Sequence, residues 1–235
     1  APLRSLVPTE AEKRAKEFAA LTPEELHKRR KDRTEALWKA GLPNEPLAQA
    51  ETPELIVMGN ISESRLKQIT DWAMEDLAML KKVFQVKENP TWKGKLGLFL
   101  FKDHFTYGEF TQTNQNAMIP DESTGHARVT FAGDEAYVCV QDLGDDVSSN
   151  SGGVRVVLME QLTGALLSRA AKPVPQWLSR GTGLALAEAT LSHPSAGRRP
   201  GGTRGSAGPD LTSVSRRLTF TKSPQGHLLT CVKMR

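Results

Sequence analysis

The order of the apolar segments between residues 54 and 191 limits the possible folds more than any other feature of the sequence. Short apolar runs come first and predict β-strands at Leu55–Met58, Leu96–Phe101, Val129–Phe131 and Ala136–Val140. Two segments follow in which apolar residues recur at helical spacing, Val154–Arg169 and Gln176–Leu191. Strands followed by two packed helices are typical of an α+β domain rather than of alternating βαβ units.

A long amphipathic segment lies between the first two predicted strands. From Ser62 onward, apolar residues recur every three or four positions, at Leu66, Ile69, Ala73, Leu77, Leu80 and Phe84. This spacing places them on one face of a helix, so we expect a small mixed sheet packed on this long helix. The stretch Thr111–Gly125 is rich in Thr, Asn and Gln and predicts a polar loop.

The residues before this body predict a pair of helices. Thr9-Glu10-Ala11-Glu12 and Thr22-Pro23-Glu24-Glu25 both match the capping-box pattern, and the second helix should end at Gly41. Three prolines within residues 43–53 then indicate a linker. The predicted organisation is therefore a helical segment at 1–42, a linker at 43–53, the body at 54–191 and a tail at 192–235.

The tail differs from the rest of the chain in charge. Residues 192–235 contain eight basic residues and one acidic residue, whereas the rest of the chain contains 23 basic and 26 acidic residues. The body therefore lacks the charge of a nucleic-acid binder, and the tail has only Phe220 for base stacking. We expect a poorly ordered tail, rich in Gly and Pro, that suits an acidic protein partner better than nucleic acid.

Further features narrow the class of protein. No run approaches the roughly 20 apolar residues that span a bilayer, which predicts a protein without a membrane span. The two cysteines, Cys139 and Cys231, are too few for a disulfide framework or a cysteine zinc site, and no two of the five histidines are close in sequence. The chain begins Ala1-Pro2-Leu3, as expected if a leader has been removed, which favours an exported (periplasmic or extracellular) protein over a cytoplasmic one.

Two stretches in the last helices resemble a known family. Glu160-Gln161-Leu162-Thr163-Gly164-Ala165-Leu166-Leu167 and Trp177-Leu178-Ser179-Arg180-Gly181 resemble the two signature helices of the gluzincin metallopeptidases, the peptidase MA-like family. In that family the first helix reads His-Glu-x-x-His-Ala-Leu-Leu and the second Trp-Leu-x-Glu-Gly-x-Ala. The two histidines hold zinc, the glutamate between them deprotonates the bound water, and the glutamate of the second helix is the third ligand. The resemblance covers residues 54–190.

Every chemical position of this pattern is changed in the present chain. With Ala165-Leu166-Leu167 aligned, the first ligand histidine is replaced by Glu160, the general base by Gln161, the second histidine by Gly164 and the third ligand by Arg180. Glycine offers no ligand atom, and glutamine cannot accept and return a proton. A guanidinium repels a divalent cation. The resemblance therefore implies a peptidase-like domain that holds neither zinc nor another cofactor.

The replacements also suggest a new contact. Glu160 faces the position from which Arg180 projects, so we expect these side chains to form a salt bridge where zinc joins the helices in the family. Shifting the alignment by one residue puts Met159 and Thr163 at the histidine positions and restores no zinc site either. In a protein unrelated to the family, the same polar residues would be part of an ordinary helix surface.

Other candidate residues have simpler interpretations. His104, His126 and His193 would have to come together from loops to form a new metal site, and loop histidines are usually solvated. Asp142-Leu143-Gly144-Asp145-Asp146 offers three carboxylates for calcium but lacks the ligand spacing of an EF-hand, which favours a turn. Cys139 lies in a predicted strand and is expected to be a small buried hydrophobe rather than a nucleophile.

Three functions are compatible with these observations. The favoured one is a catalytically inactive, gluzincin-like pseudo-peptidase that acts as a protein-binding or structural module, in which a bound chain would add to the edge of the sheet. The second is a subunit of a larger assembly that contacts partners through its terminal segments. The third is a zinc-dependent peptidase with rearranged ligands.

Overall fold

The computed structural model describes residues 9–88, 91–130, 133–146, 152–169, 174–191, 220–222 and 228–230. Its helices are α1 (Glu10–Ala19), α2 (Pro23–Gly41), α3 (Glu63–Val83), α4 (His104–Gln115), α5 (Gly153–Leu167) and α6 (Gln176–Leu191). Its strands are β1 (Ala48–Glu51), β2 (Leu55–Gly59), β3 (Leu96–Phe101), β4 (Gly125–Val129), β5 (Ala136–Gln141), β6 (Phe220–Lys222) and β7 (Leu228–Thr230). The predicted α+β class is confirmed. Among the described residues, no helix combines the length and the apolar composition that crossing a membrane requires.

Strands β1 to β5 form one mixed sheet in the order β1-β2-β3-β5-β4. The central strands β2, β3 and β5 are parallel, and the two edge strands, β1 and β4, are antiparallel to their neighbours. Because β2 and β3 are adjacent and parallel, α3 is the crossover that joins them. The fold therefore contains one βαβ unit at its start, within an α+β domain.

The central strands are buried on both faces, as parallel strands usually are. One face is aromatic: Phe99, Phe101 and Tyr137 pack with residues of α2 and α4 in a single core cluster. The Trp38 ring of α2 stacks on this face, with its centroid 6.3 Å from that of Phe99 and 6.2 Å from that of Phe101. The alternate residues of the same strands are aliphatic and point to the opposite face, which α3 and α5 cover.

The N-terminal helices pack on this body. Both predicted capping boxes are present, with Thr9 capping α1 and Thr22 capping α2. The buried guanidinium of Arg30 donates hydrogen bonds to the backbone carbonyls of Lys93, Gly133 and Asp134 and so ties α2 to two loops of the body. The predicted linker 43–53 is wrong in part, because residues 48–51 pair with β2 as strand β1.

Two further predictions need correction. The predicted strand at 129–131 lies instead at Gly125–Val129, and Phe131 is outside the described residues. The predicted polar loop at 111–125 begins inside α4, which Asp103 caps by accepting a hydrogen bond from the backbone N–H of Thr106. The polar residues at the end of α4 have partners: the Thr111 hydroxyl donates to the carbonyl of Tyr107, and the Asn114 amide donates to that of Leu37.

The end of the chain forms a second unit, Glu188–Arg235, which contains the last turn of α6 and an antiparallel pair made of β6 and β7. The remainder of the predicted basic tail lies outside the described residues, and so does His193. The other predicted elements are confirmed to within two residues at each end: the second N-terminal helix, the strands at Leu55 and Leu96, the helix after Ser62 and the two helices of the family pattern.

A pair of tryptophan substitutions tests whether α2 belongs to the same folding unit as the sheet. Trp38→Ala should lower the free energy of unfolding by about 3–5 kcal/mol, because it leaves a cavity against Phe99 and Phe101. Trp177→Ala, at a side chain that is 72% exposed, should change it by less than about 0.5 kcal/mol. Urea unfolding followed by circular dichroism measures both values. Equal effects would contradict the packing of α2 on the sheet.

Candidate functional site

The two helices of the family pattern cross where α6 carries a glycine. A methyl group added at Gly183 would lie 2.7 Å from the Cα of Glu160, which is too close for any side chain. Gly183 is buried, as are the neighbouring Leu186 and Ala187. The backbone of α6 therefore rests directly on α5 at Glu160, and the contact requires glycine at position 183.

Glu160 and Arg180 form the ion pair that the sequence predicts. The Nε atom of Arg180 lies 3.1 Å from Oε1 of Glu160. The Glu160 side chain is only 16% exposed, whereas that of Arg180 is 64% exposed. An ion pair with one exposed partner contributes less than about 1 kcal/mol to stability, so this contact orients the two side chains more than it holds the helices together.

Burial raises the pKa of Glu160 above the ordinary glutamate value, and the attraction of Arg180 offsets only part of this effect. A carboxyl whose pKa is higher in the folded state stabilises the fold while it is protonated. This contribution is complete below the unfolded pKa and is lost as the pH rises through the folded pKa. At neutral pH the ionised carboxylate of Glu160 is therefore partly shielded from water, and the positive charge of Arg180 stabilises it.

Gln161 and Gly164 face the edge strand β4. The Cγ atom of Gln161 lies 3.2 Å from the position of a Cβ added at Gly125, and a Cβ added at Gly164 would lie 3.8 Å from the Cβ of Ala127. Three positions of the family pattern thus lie together on one side of α5, and Arg180 of α6 contacts the first of them. Glu160 contacts α6, while Gln161 and Gly164 contact β4.

The alternative alignment puts two core residues at the histidine positions. Met159 and Thr163 are both fully buried. The Thr163 hydroxyl is one of the buried polar atoms without a hydrogen-bond partner among the described residues. Side chains at these two positions belong to the core around α5, so the face toward α6 and β4 corresponds to the first alignment.

The residues on this face do not fit a zinc ion. A ligand position without a side chain and a fixed cation at the third ligand position leave one carboxylate, which already contacts Arg180. Among the described residues, no group of three or more His, Cys, Asp or Glu side chains is arranged to hold a metal ion.

The outer edge of β4 has no partner strand in the described part of the chain. On the inner side, the carbonyl of Thr124 accepts from the N–H of Gln141, and the N–H of Thr130 donates to the carbonyl of Glu135. Because backbone groups alternate in direction along an antiparallel strand, residues 125, 127 and 129 direct their N–H and C=O groups away from β5. These are Gly125, Ala127 and Val129, and none of them has a charged side chain.

The histidines do not assemble a metal site among the described residues. His126 is in strand β4 rather than in a loop, and burial lowers its pKa to about 4. Its Nδ1 atom lies 2.8 Å from the Tyr107 hydroxyl, and its Nε2 atom lies 2.6 Å from the Gln115 amide nitrogen. The neutral ring thus joins β4 to α4, on the face of the sheet opposite α5. His104 lies in the first turn of α4.

The remaining candidates have structural roles. Both carboxylate oxygens of Asp142 accept hydrogen bonds from Arg65, and Asp145 lies 2.6 Å from the same guanidinium. These acids are thus neutralised by an arginine of α3, which supports the prediction of a turn over that of a calcium loop. Cys139 is buried, and burial raises the pKa of its thiol well above the usual value. The prediction of a small buried hydrophobe is confirmed.

Sequence reasoning did not single out Gly183 or the free edge of β4. Gly183 was one of many glycines, and its need for a hydrogen atom in place of a side chain arises only from the crossing with α5. The sequence predicts this strand at Val129–Phe131, four residues later than β4 begins in the structure. That shifted position does not include the residues whose small and large side chains alternate along β4. The small residues Gly125 and Ala127 alternate with the larger residues His126 and Arg128. This alternation is the sequence pattern that predicts a strand at these positions.

Two glycines of α6 offer a matched test of the helix crossing. Replacing glycine by alanine in a helix favours folding by up to about 1 kcal/mol when there is space for the methyl group. Gly181→Ala meets nothing within 4 Å, so stability should stay equal or rise. Gly183→Ala clashes with the backbone of Glu160 and should cost about 1–3 kcal/mol. Urea unfolding of the two variants measures the difference, and similar values would contradict the crossing.

The comparisons with known proteins leave the family open. No family model matches the chain, and no curated protein matches it either. The relationship to the gluzincins thus depends on the motif residues of α5 and α6 and stays a prediction. The ion pair, the helix crossing and an edge of β4 without a partner among the described strands are features of the structure itself.

Proposed function

We propose that this chain is a catalytically inactive, metal-free relative of the gluzincin peptidases that binds an extended segment of another protein along the free edge of β4. One observation carries the proposal. The positions that align with the zinc ligands and the general base lie together beside a free strand edge, but they hold the ion pair between Glu160 and Arg180 instead of a set of metal ligands.

The absence of catalysis follows from the residues that replace the ligands and the base. Hydrolysis of a peptide bond by a zinc enzyme needs a metal-bound water and a base that takes its proton. Gln161 has no basic atom for this proton, and Gly164 supplies no ligand. Arg180 places a positive charge where a ligand would donate electrons. Restoring one of these functions alone would not restore the reaction.

Binding of an extended chain follows from the edge of the sheet. A free strand edge pairs readily with another strand, and proteins that avoid such pairing protect their edges with charges, prolines or bulges. The opposite edge strand, β1, has this protection, because Glu51 contacts Lys31 and Lys95 as well as His27. The outward positions of β4 contain no charge and no proline, so this edge is suited to strand addition.

A display library of random linear peptides tests this function with the full chain as bait. Peptides selected by the wild-type protein should lose most of their affinity for Ala127→Pro, because proline removes the N–H group that position 127 directs outward. The bond from β4 to β5 is kept, since that position does not donate to β5. The matched control is Gln49→Pro, which makes the same change at an outward position of β1 and should bind like the wild type.

Three outcomes would contradict the proposal. In the first, no peptide is selected. In the second, Gln49→Pro and Ala127→Pro weaken binding equally while both remain folded by circular dichroism. In the third, the purified chain contains one equivalent of zinc and hydrolyses peptides. That result would replace the proposed function by that of a zinc peptidase with rearranged ligands.

A further inference from the structure

The Arg180 side chain has hydrogen-bonding capacity that its ion pair does not use. Its contact with Glu160 is made through Nε, whereas a guanidinium carries five N–H donors. With 64% of the side chain exposed, the end of the guanidinium is open to solvent. The ion pair with Glu160 is the one salt bridge that Arg180 makes with described residues.

The surroundings of Arg180 contain few side chains. A Cβ added at the adjacent Gly181 would meet nothing within 4 Å. A Cβ added at Gly164, on the facing side of α5, would meet only the methyl group of Ala127 in β4 within that distance. Gly164 thus leaves space on the side of α5 that faces the edge strand, and the exposed Gly181 adds no side chain next to Arg180.

From these contacts we infer that Arg180 binds a carboxylate of the polypeptide segment that adds to β4, an inference that rests on the proposed function. A guanidinium binds a carboxylate through two parallel hydrogen bonds, which gives both affinity and a fixed geometry. The carboxylate is that of an Asp or Glu side chain or of the C-terminus, since both have the same chemistry. Glu160 holds the guanidinium through Nε, and its negative charge disfavours the approach of a second carboxylate to the same guanidinium.

Peptides selected on the wild-type chain provide the test. Each acidic residue is changed to its amide counterpart, and in a separate peptide the C-terminal carboxylate is amidated, which distinguishes the two sources. We expect one of these changes to weaken binding to the wild type about tenfold or more, as for the loss of a charge-assisted hydrogen bond. The same change should have little effect on binding to Arg180→Gln.

Two further variants distinguish the recognition of a carboxylate by Arg180 from a general effect of the protein's net charge. Arg29→Gln removes the same charge from an exposed position of α2 and should leave the preference for acidic peptides unchanged. Glu160→Gln removes the competing carboxylate and should strengthen binding of the acidic peptides but not of their amide counterparts. A purely structural role of Arg180 would not produce this difference.

The failure of this inference is distinct from that of the proposed function. If the amide and acidic peptides bind the wild type equally, while Ala127→Pro still abolishes binding, Arg180 does not recognise a carboxylate and the edge-binding function stands. If no linear peptide is selected, the proposed function fails and this inference fails with it. The comparison of peptides on the wild-type chain remains valid even if Arg180→Gln does not fold.

Discussion

Burial of the three parallel strands on both faces is the constraint on which the rest of the structure depends. Parallel strands expose two apolar faces, and each face needs a layer of helices to exclude water. Helices α2 and α4 pack on the aromatic face, around Trp38, Phe99 and Phe101. Helices α3 and α5 pack on the aliphatic face. Helices α2 and α4 together are thus one of the two layers that a sheet of this kind requires.

The position of the candidate site follows from the packing of α5 against the sheet. Its inner residues pack in the core, which leaves the side with Glu160, Gln161 and Gly164 toward α6 and β4. Gly183 then allows the backbone of α6 to approach Glu160 closely enough for Arg180 to reach the carboxylate. The ion pair between Glu160 and Arg180 connects the two helices at this point, beside a strand edge that has no partner strand among the described residues. A guanidinium that is held in place by a carboxylate can recognise an anion.

The sequence predicted those features that depend on local pattern. Helix periodicity and capping residues located α2, α3, α5 and α6, and the resemblance to the gluzincin signature helices predicted the contact between Glu160 and Arg180. The features it missed depend on tertiary packing. Helix α4 contains few apolar residues, and its polar ones are satisfied by contacts such as that of Asn114 with the carbonyl of Leu37. His126 is a half-buried strand residue because β4 begins at Gly125, a register that the pairing with β5 fixes.

The central claim is that α5 and α6 retain the frame of a metallopeptidase from which the zinc ligands are gone. Its most direct test restores the ligands by combining Glu160→His, Gln161→Glu, Gly164→His and Arg180→Glu in the full chain, followed by calorimetric titration with zinc chloride. A control variant with Met159→His and Thr163→His changes buried positions that do not face α6. The account predicts one equivalent of zinc for the restored chain and none for the wild type or the control. A restored chain that is folded by circular dichroism yet binds no zinc, or a wild-type chain that binds one equivalent, would contradict it.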